Sequence, residues 1–379
     1  MNGTTTAGAR RGADAPAIVA EGVRRSYGDV VALDGVDLSV DTGEVFGLIG
    51  PNGAGKTTLV RALTGTTKFE GGVKIFGESP EAVDPARIGL LPQSFDPPAR
   101  LTARELIDYY GGLYDEARPT DDVLRDVGLA DSADAWYETL SGGQKRRTCV
   151  AATLVNDPDL LFLDEPTTGI DPAGRRALHR LIERLAEWGR TVFLTSHAMD
   201  EVERLADRVA LLRGGSIVAV GTPEELIAEH GGAPRIEVAL DSPADDTLLS
   251  AVAAETRERG LVVEISSTAG VLQLAGVRPA SIGEAVAALE AAGVEFESLS
   301  WMEPSLEDVY LRLTGEEYSP RRGGRDGFPG RTDGSGPAGV SADRTHGPRP
   351  AGVSADRTHG PRPAGVSADR THGSGVTDE

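Results

Sequence analysis

The sequence predicts an α/β protein: a large, mostly parallel sheet covered by helices, then a smaller α+β unit and a low-complexity tail. Three observations carry that expectation. Apolar strand-like runs at residues 45–49, 160–163, 191–194 and 208–212 alternate with helix-like segments such as 56–63 and 173–188. Such alternation is the pattern of a parallel sheet buried on both faces. Between Pro234 and Gly315 the order changes to β-α-β-β-α-β, and beyond residue 316 glycine and proline dominate.

Taken in order, residues 1–16 are rich in Gly, Ala and Thr and read as a disordered leader. Strand-like segments at 17–23 and 36–40 follow, with Tyr27 between them. The α/β unit spans 17–232 and closes on a hairpin, where Gly214–Gly215 separates the apolar runs 209–212 and 217–220. The second unit, 233–316, places a strand at 235–240 and a helix at 247–259. Strands at 261–266 and 271–274, split by Gly270, come next, then a helix at 282–292 and a strand at 294–299. This is the split βαβ, or ferredoxin-like, order. A last helix starts at Pro304, a favourable first-turn residue, and ends before Gly315. Residues 317–379 read as a disordered tail. PAGVSADRTHGPR occurs at 337–349 and 350–362, and PAGVSADRTHG at 363–373, a 13-residue period too poor in apolar side chains to offset chain entropy. His346, His359 and His372 recur with it, but nothing nearby would preorganise a metal site.

Composition narrows the function classes. The chain has 379 residues and a formal net charge of −21, which argues against nucleic acid or bare anionic lipid as a generic electrostatic partner. Lys56, Lys68, Lys74 and Lys145 are its four lysines. Dense carboxylate with scarce lysine suggests a cytosol of high ionic strength, where self-repulsion is screened; the codon bias of a GC-rich genome is the rival explanation. No run approaches the roughly 18–20 apolar residues that cross a bilayer. Residues 1–16 are polar, with Arg10–Arg11 followed by no apolar stretch, so no secretory signal is expected. One cysteine, Cys149, excludes an intramolecular disulfide. A soluble intracellular protein is the expectation.

Gly50, Pro51, Asn52, Gly53, Ala54, Gly55, Lys56, Thr57 and Thr58 match GxxxxGK[ST] between a predicted strand and a predicted helix, the context that marks a phosphate-binding loop. Its glycines let backbone N–H groups close around phosphate oxygens at a helix N-terminus. Lys56 supplies charge to the β and γ phosphates, and Thr57 a hydroxyl to Mg²⁺. The run LLFLDE ends in Asp164 and Glu165, which face opposite ways on a strand. Asp164 is placed to hold Mg²⁺ through water, and Glu165 to polarise a water toward the γ-phosphate. Ser141, Gly142, Gly143 and Gln144, in LSGGQ, open a helix and form a second phosphate-binding nest. One nucleotide has no use for two such cradles, so a dimer is expected, with this nest closing over the partner's loop.

With these motifs in order over residues 17–230, the sequence resembles the ATP-binding cassette (ABC) ATPases. The resemblance implies ATP and Mg²⁺ as cofactors. It also implies that Tyr27 stacks on adenine and that Gln93, in LLPQSF, touches Mg²⁺ or the attacking water and senses the transport partner. By the same resemblance Asp171, in TTGIDP, communicates across the dimer, and His197, in TSH, contacts the γ-phosphate. Taken singly, these four would read as a turn tyrosine, a loop glutamine, a helix N-cap and a hydrogen-bonded structural histidine. EPSLEDVYLRLTG, residues 303–315, resembles the C-terminal end of ATPases serving ABC-2-type exporters, such as daunorubicin-resistance or multidrug subunits, although the Phe often found near Tyr310 is replaced. The tail departs from the family. His179, His230 and Cys149 read as packing or surface positions.

The expected protein is an ATP-hydrolysing subunit, homodimeric and cytoplasmic, peripheral on the inner face of the membrane, driving export through a separate multi-span permease that chooses the substrate. A non-transport ABC ATPase is one alternative, but residues 93–141 leave no room for a coiled coil and the net charge disfavours nucleic acid. A regulatory ATPase, with the ferredoxin-like unit sensing a ligand, is the other.

Overall fold

A computed structural model of the chain describes residues 16–240, 244–268 and 270–315. The leader up to residue 15 and the repeat-bearing tail lie outside the described residues. The chain begins with β1 (Ile18–Tyr27), β2 (Val30–Val40) and β3 (Val45–Ile49), then α1 (Lys56–Leu63), β4 (Glu70–Ile75) and β5 (Ile88–Leu91). Three helices follow: α2 (Ala103–Gly111), α3 (Thr120–Asp126) and α4 (Gly142–Ala152). The sheet then resumes with β6 (Leu160–Asp164), α5 (Pro172–Glu187), β7 (Thr191–Ser196), α6 (Met199–Leu205), β8 (Arg208–Arg213) and β9 (Ser216–Gly221). After α7 (Pro223–Leu226) come β10 (Arg235–Leu240), α8 (Asp246–Glu258), β11 (Glu264–Thr268) and β12 (Val271–Ala275). The last elements are α9 (Ile282–Ala291), β13 (Phe296–Met302) and α10 (Leu306–Thr314).

Six strands form the central sheet in the order β5-β6-β7-β3-β8-β9. All its pairs are parallel except β8–β9, the hairpin turned at Gly214–Gly215. β3, β6 and β7 are buried along their whole length, as continuous apolar runs covered on both faces should be. Phe193 stacks on Phe46 across neighbouring strands, ring centroids 5.7 Å apart, and meets Phe162 at a tilt with centroids 5.5 Å apart. The first two strands do not join this sheet. β1 pairs antiparallel with β2 and β4, and this three-stranded sheet packs with α1 over one face of the parallel sheet. Helices α2 to α6 build the core on the other face.

The second unit has sheet order β11-β12-β10-β13, every pair antiparallel. With α8 and α9 on it, this is the ferredoxin-like arrangement its element order predicts. Ile236, Val238, Leu272, Leu274, Val252, Ala285 and Leu289 make its core. The final helix goes elsewhere. Leu306, Val309 and the fully buried Tyr310 of α10 join the core of the large unit, and the α10 N-terminus donates Leu306 N–H to Glu203 Oε2 on α6 at 3.0 Å. Among the described residues no helix is long and apolar enough to cross a membrane.

Candidate functional site

The parallel register brings four strand ends together. Ile49 at the end of β3 pairs with Ser196 of β7, Asp164 of β6 with Thr195, and Leu91 of β5 with Leu163. Asp164 is the last residue of β6, and the segments leaving these strand ends carry the Gly50–Thr58 loop, Gln93, Glu165 and His197. A crevice outside the carboxyl ends of a parallel sheet is where such folds bind ligands.

The loop residues require glycine for steric reasons. A Cβ on Gly50 would lie 2.4 Å from Leu212 O, and one on Gly55, at φ +111°, 2.5 Å from Ala32 O. The turn so formed has no side-chain cap on α1, which leaves the first-turn N–H groups of that helix directed into the loop. Lys56 is 5% exposed and folds back, donating to Gly50 O at 2.8 Å and Pro51 O at 3.2 Å. Its Nζ stands 3.4 Å from Glu165 Oε1. Burial lowers the Lys56 pKa, an effect Glu165 and then Asp164 partly offset.

Glu165 is the hub. Its Oε2 accepts from Gln93 Nε2 at 3.2 Å and Thr168 Oγ1 at 3.2 Å, and His197 Nδ1 lies 3.4 Å away. Burial by itself would raise its pKa, but the Lys56 and His197 charges and hydrogen bonds with Lys56 and Thr168 outweigh it and hold the carboxyl below its ordinary value. The group is therefore an anion at neutral pH, beside the loop. Asp164, 1% exposed, accepts from Thr195 Oγ1 at 2.6 Å. Tyr27, at the end of β1, is half-exposed with Arg25 over its ring at 4.4 Å. Hydrogen bonding to Thr67, then Arg25, lowers its phenol pKa, and Thr58 of the loop's helix contributes.

The LSGGQ residues stand apart from this hub. Ser141 caps α4 in a reciprocal box, its Oγ accepting Gln144 N–H at 3.3 Å while Gln144 Oε1 accepts Ser141 N–H at 2.9 Å. Among the described residues, 141–144 make no hydrogen bond to the Gly50–Thr58 loop or to Glu165. Asp171 is the N-cap of α5, accepting Gly174 N–H at 3.4 Å.

The family model described as ABC transporter matches residues 33–168. The daunorubicin resistance ATP-binding protein DrrA3 of Streptomyces coeruleorubidus is 38% identical over 314 residues, covering 79% of this chain and 96% of the relative. A Nod factor export ATP-binding protein I of Ralstonia nicotianae is 36% identical, covering 80% of this chain and 95% of the relative. The linearmycin resistance ATP-binding protein LnrL of Bacillus subtilis is 34% identical over 78% of this chain and 97% of its own length. The chain belongs to the ABC transporter family. A solved ATP-binding cassette of an ABC transporter in its ADP conformation, 27% identical, superposes with a TM-score of 0.51 over 57% of this chain and 94% of that structure. The large unit is accordingly an ABC ATPase cassette, and the chain is an ATPase of that family.

Two features of this cassette escape sequence reading. Arg146, on α4, donates to three consecutive carbonyls: Asp164 O at 2.9 Å, Glu165 O at 3.0 Å and Pro166 O at 2.9 Å. The Gln-Lys-Arg-Arg run after the two glycines gives no local pattern that singles it out. Behind the Asp171 loop lies a buried polar cluster. Glu201 Oε2 accepts from Thr167 Oγ1 at 2.6 Å, and its Oε1 lies 3.0 Å from Arg175 and 3.9 Å from His179. His179, read from sequence as a packing or surface position, is one wall of that cluster.

Proposed function

We propose that this chain is the ATP-binding and hydrolysing subunit of an exporter, working as a homodimer on the inner face of the membrane with a separate ABC-2-type permease. The observation that carries the reading is the hub itself: a buried lysine and an ionised glutamate 3.4 Å apart, between a glycine-built phosphate loop and His197. Three relatives whose names specify daunorubicin resistance, Nod factor export and linearmycin resistance support the export direction.

In this reading the loop N–H groups and Lys56 bind the β and γ phosphates. Glu165 takes a proton from water as its oxygen attacks the γ-phosphorus. The bond from the γ-phosphorus to the bridging oxygen breaks, ADP leaves with its electron pair, and phosphate is the other product. His197 lies beside the same carboxylate and contacts the γ-phosphate; Gln93, hydrogen-bonded to Glu165, orients the water and passes its state to the permease. Tyr27 stacks on adenine. An all-oxygen donor set fits a hard divalent cation: Thr57, Asp164 and Gln93 would hold Mg²⁺, which when bound neutralises phosphate charge. The other half of each site comes from the partner's Ser141, Gly142, Gly143 and Gln144. What supports this is that the nest on α4 is committed to its own helix cap and not to the loop of its own chain. Asp171, capping the next helix, lies at the same boundary.

The reading predicts that the ATPase rate per chain rises with protein concentration and that Ser141→Arg abolishes it while ATP binding persists. A concentration-independent rate, unaffected by Ser141→Arg, would contradict the two-site arrangement.

A further inference from the structure

Glu165 occupies an unusual backbone conformation. Its φ is +47°, in the left-handed region, which a non-glycine residue adopts only when its surroundings impose it. Two sets of hydrogen bonds do so here. On one side the Glu165 N–H is held by Thr195, at 3.2 Å to the carbonyl and 3.0 Å to Oγ1. On the other side Arg146 takes the carbonyls of Asp164, Glu165 and Pro166 together. These carbonyls lie where β6 ends and its ladder stops. A planar guanidinium with donors at fixed angles can serve three of them at once; a lysine ammonium, a point charge on a flexible stem, cannot hold that geometry.

The helix that bears Arg146 is the one that opens with Ser141. The two stand five positions apart, about 7.5 Å along an α-helix, so cap and guanidinium move as one body. We propose that Arg146 is a positioning residue for ATP hydrolysis: it ties the backbone of Glu165 to α4, so that the general base is aligned by the helix that reaches the partner's nucleotide. Each chain then carries a direct mechanical link from the nest it offers its partner to the base in its own site. This rests on the assignment of Glu165 as general base made above.

The test uses the full chain with Arg146→Gln and Arg146→Lys, steady-state ATPase kinetics, and equilibrium binding of a fluorescent ATP analogue. Displacing a catalytic group by an ångström costs up to about a hundredfold. The expected result is a kcat lowered about 10- to 100-fold in Arg146→Gln, with KM and analogue affinity within about threefold of wild type. Arg146→Lys, which keeps the charge and the stem and guards against a folding failure, should recover only part of the loss. The double variant Arg146→Gln/Glu165→Gln should be no slower than Glu165→Gln alone, because two residues acting through one base are non-additive. Unchanged kcat in both Arg146 variants would overturn the proposal. So would losses that multiply in the double variant, or a parallel fall in kcat, affinity and melting temperature, which a merely structural role produces. Normal hydrolysis by Glu165→Gln alone would instead remove the general-base assignment, and the proposal with it.

Discussion

Lys56 and Glu165 are both almost out of water and depend on one another for their charge. Removing one member of such a pair leaves the other uncompensated, and in the proposed mechanism Lys56 also carries the charge the phosphates need. Losing a hydrogen bond to a charged group costs about 1.5–3 kcal/mol, so Lys56→Ala should weaken ATP binding about 10- to 150-fold and lower turnover as well. Isothermal titration beside a phosphate-release assay checks both. Glu201 offers a pH signature. Burial would raise its pKa, but His179, Thr167 and Arg175 outweigh burial and hold it below the ordinary value of 4.5. The unfolded chain therefore binds this proton more readily, and the stabilisation is present at neutral pH and lost as pH falls through the folded value. Glu201→Gln should unfold at lower denaturant than wild type at pH 7, and the gap should shrink as pH falls below the ordinary carboxylate value of 4.5. The loop, the acid pair and the LSGGQ residues were legible because their chemistry depends on neighbours in sequence. Arg146 and Glu201 were not, since each acts on groups 18 to 34 positions away through contacts that only the tertiary fold creates.

Between elements, the approach of α4 to α5 is set by two glycines. A Cβ on Gly143 would come within 2.7 Å of Gly174 Cα, and one on Gly174 equally close to Gly143 Cα. Both backbones are fixed here, so Gly174→Ala, which leaves the nest residues themselves intact, should cost about 1–3 kcal/mol by overpacking and lower the melting temperature. An unchanged melting curve would mean that α5 slides freely against α4. The alternating strands and helices made the parallel sheet legible, and the β-α-β-β-α-β order gave the ferredoxin-like sheet. The separate antiparallel sheet of β1, β2 and β4 was hidden, because β1 finds β4 about fifty residues later across the phosphate loop. The docking of α10 was hidden for a similar reason. Its apolar face is plain in the sequence, but which of two cores receives Leu306, Val309 and Tyr310 is a matter of tertiary packing.

At the scale of the whole molecule, the nest residues 141–144 make no hydrogen bond to Glu165 or the Gly50–Thr58 loop among the described residues, although Arg146 of the same helix holds the Glu165 backbone. The hub around Glu165 holds the groups we propose for hydrolysis, while Ser141 caps α4. In the arrangement we propose, two copies each close their nest on the other's phosphates, with ATP binding driving closure and hydrolysis reopening the pair. A net charge of −21 opposes association of two like copies at low salt, so in the proposed arrangement the bridging nucleotide is what closes the pair. Glu165→Gln tests this most directly, for it keeps the shape of the site and its phosphate ligands but cannot take the proton, a loss of about 10²–10⁴ in rate. Size-exclusion chromatography of that variant in Mg²⁺ buffer should show a monomer without nucleotide and a dimer with saturating ATP, and the added Ser141→Arg substitution should return it to monomer. A Glu165→Gln chain that stays monomeric at saturating ATP would contradict the composite site.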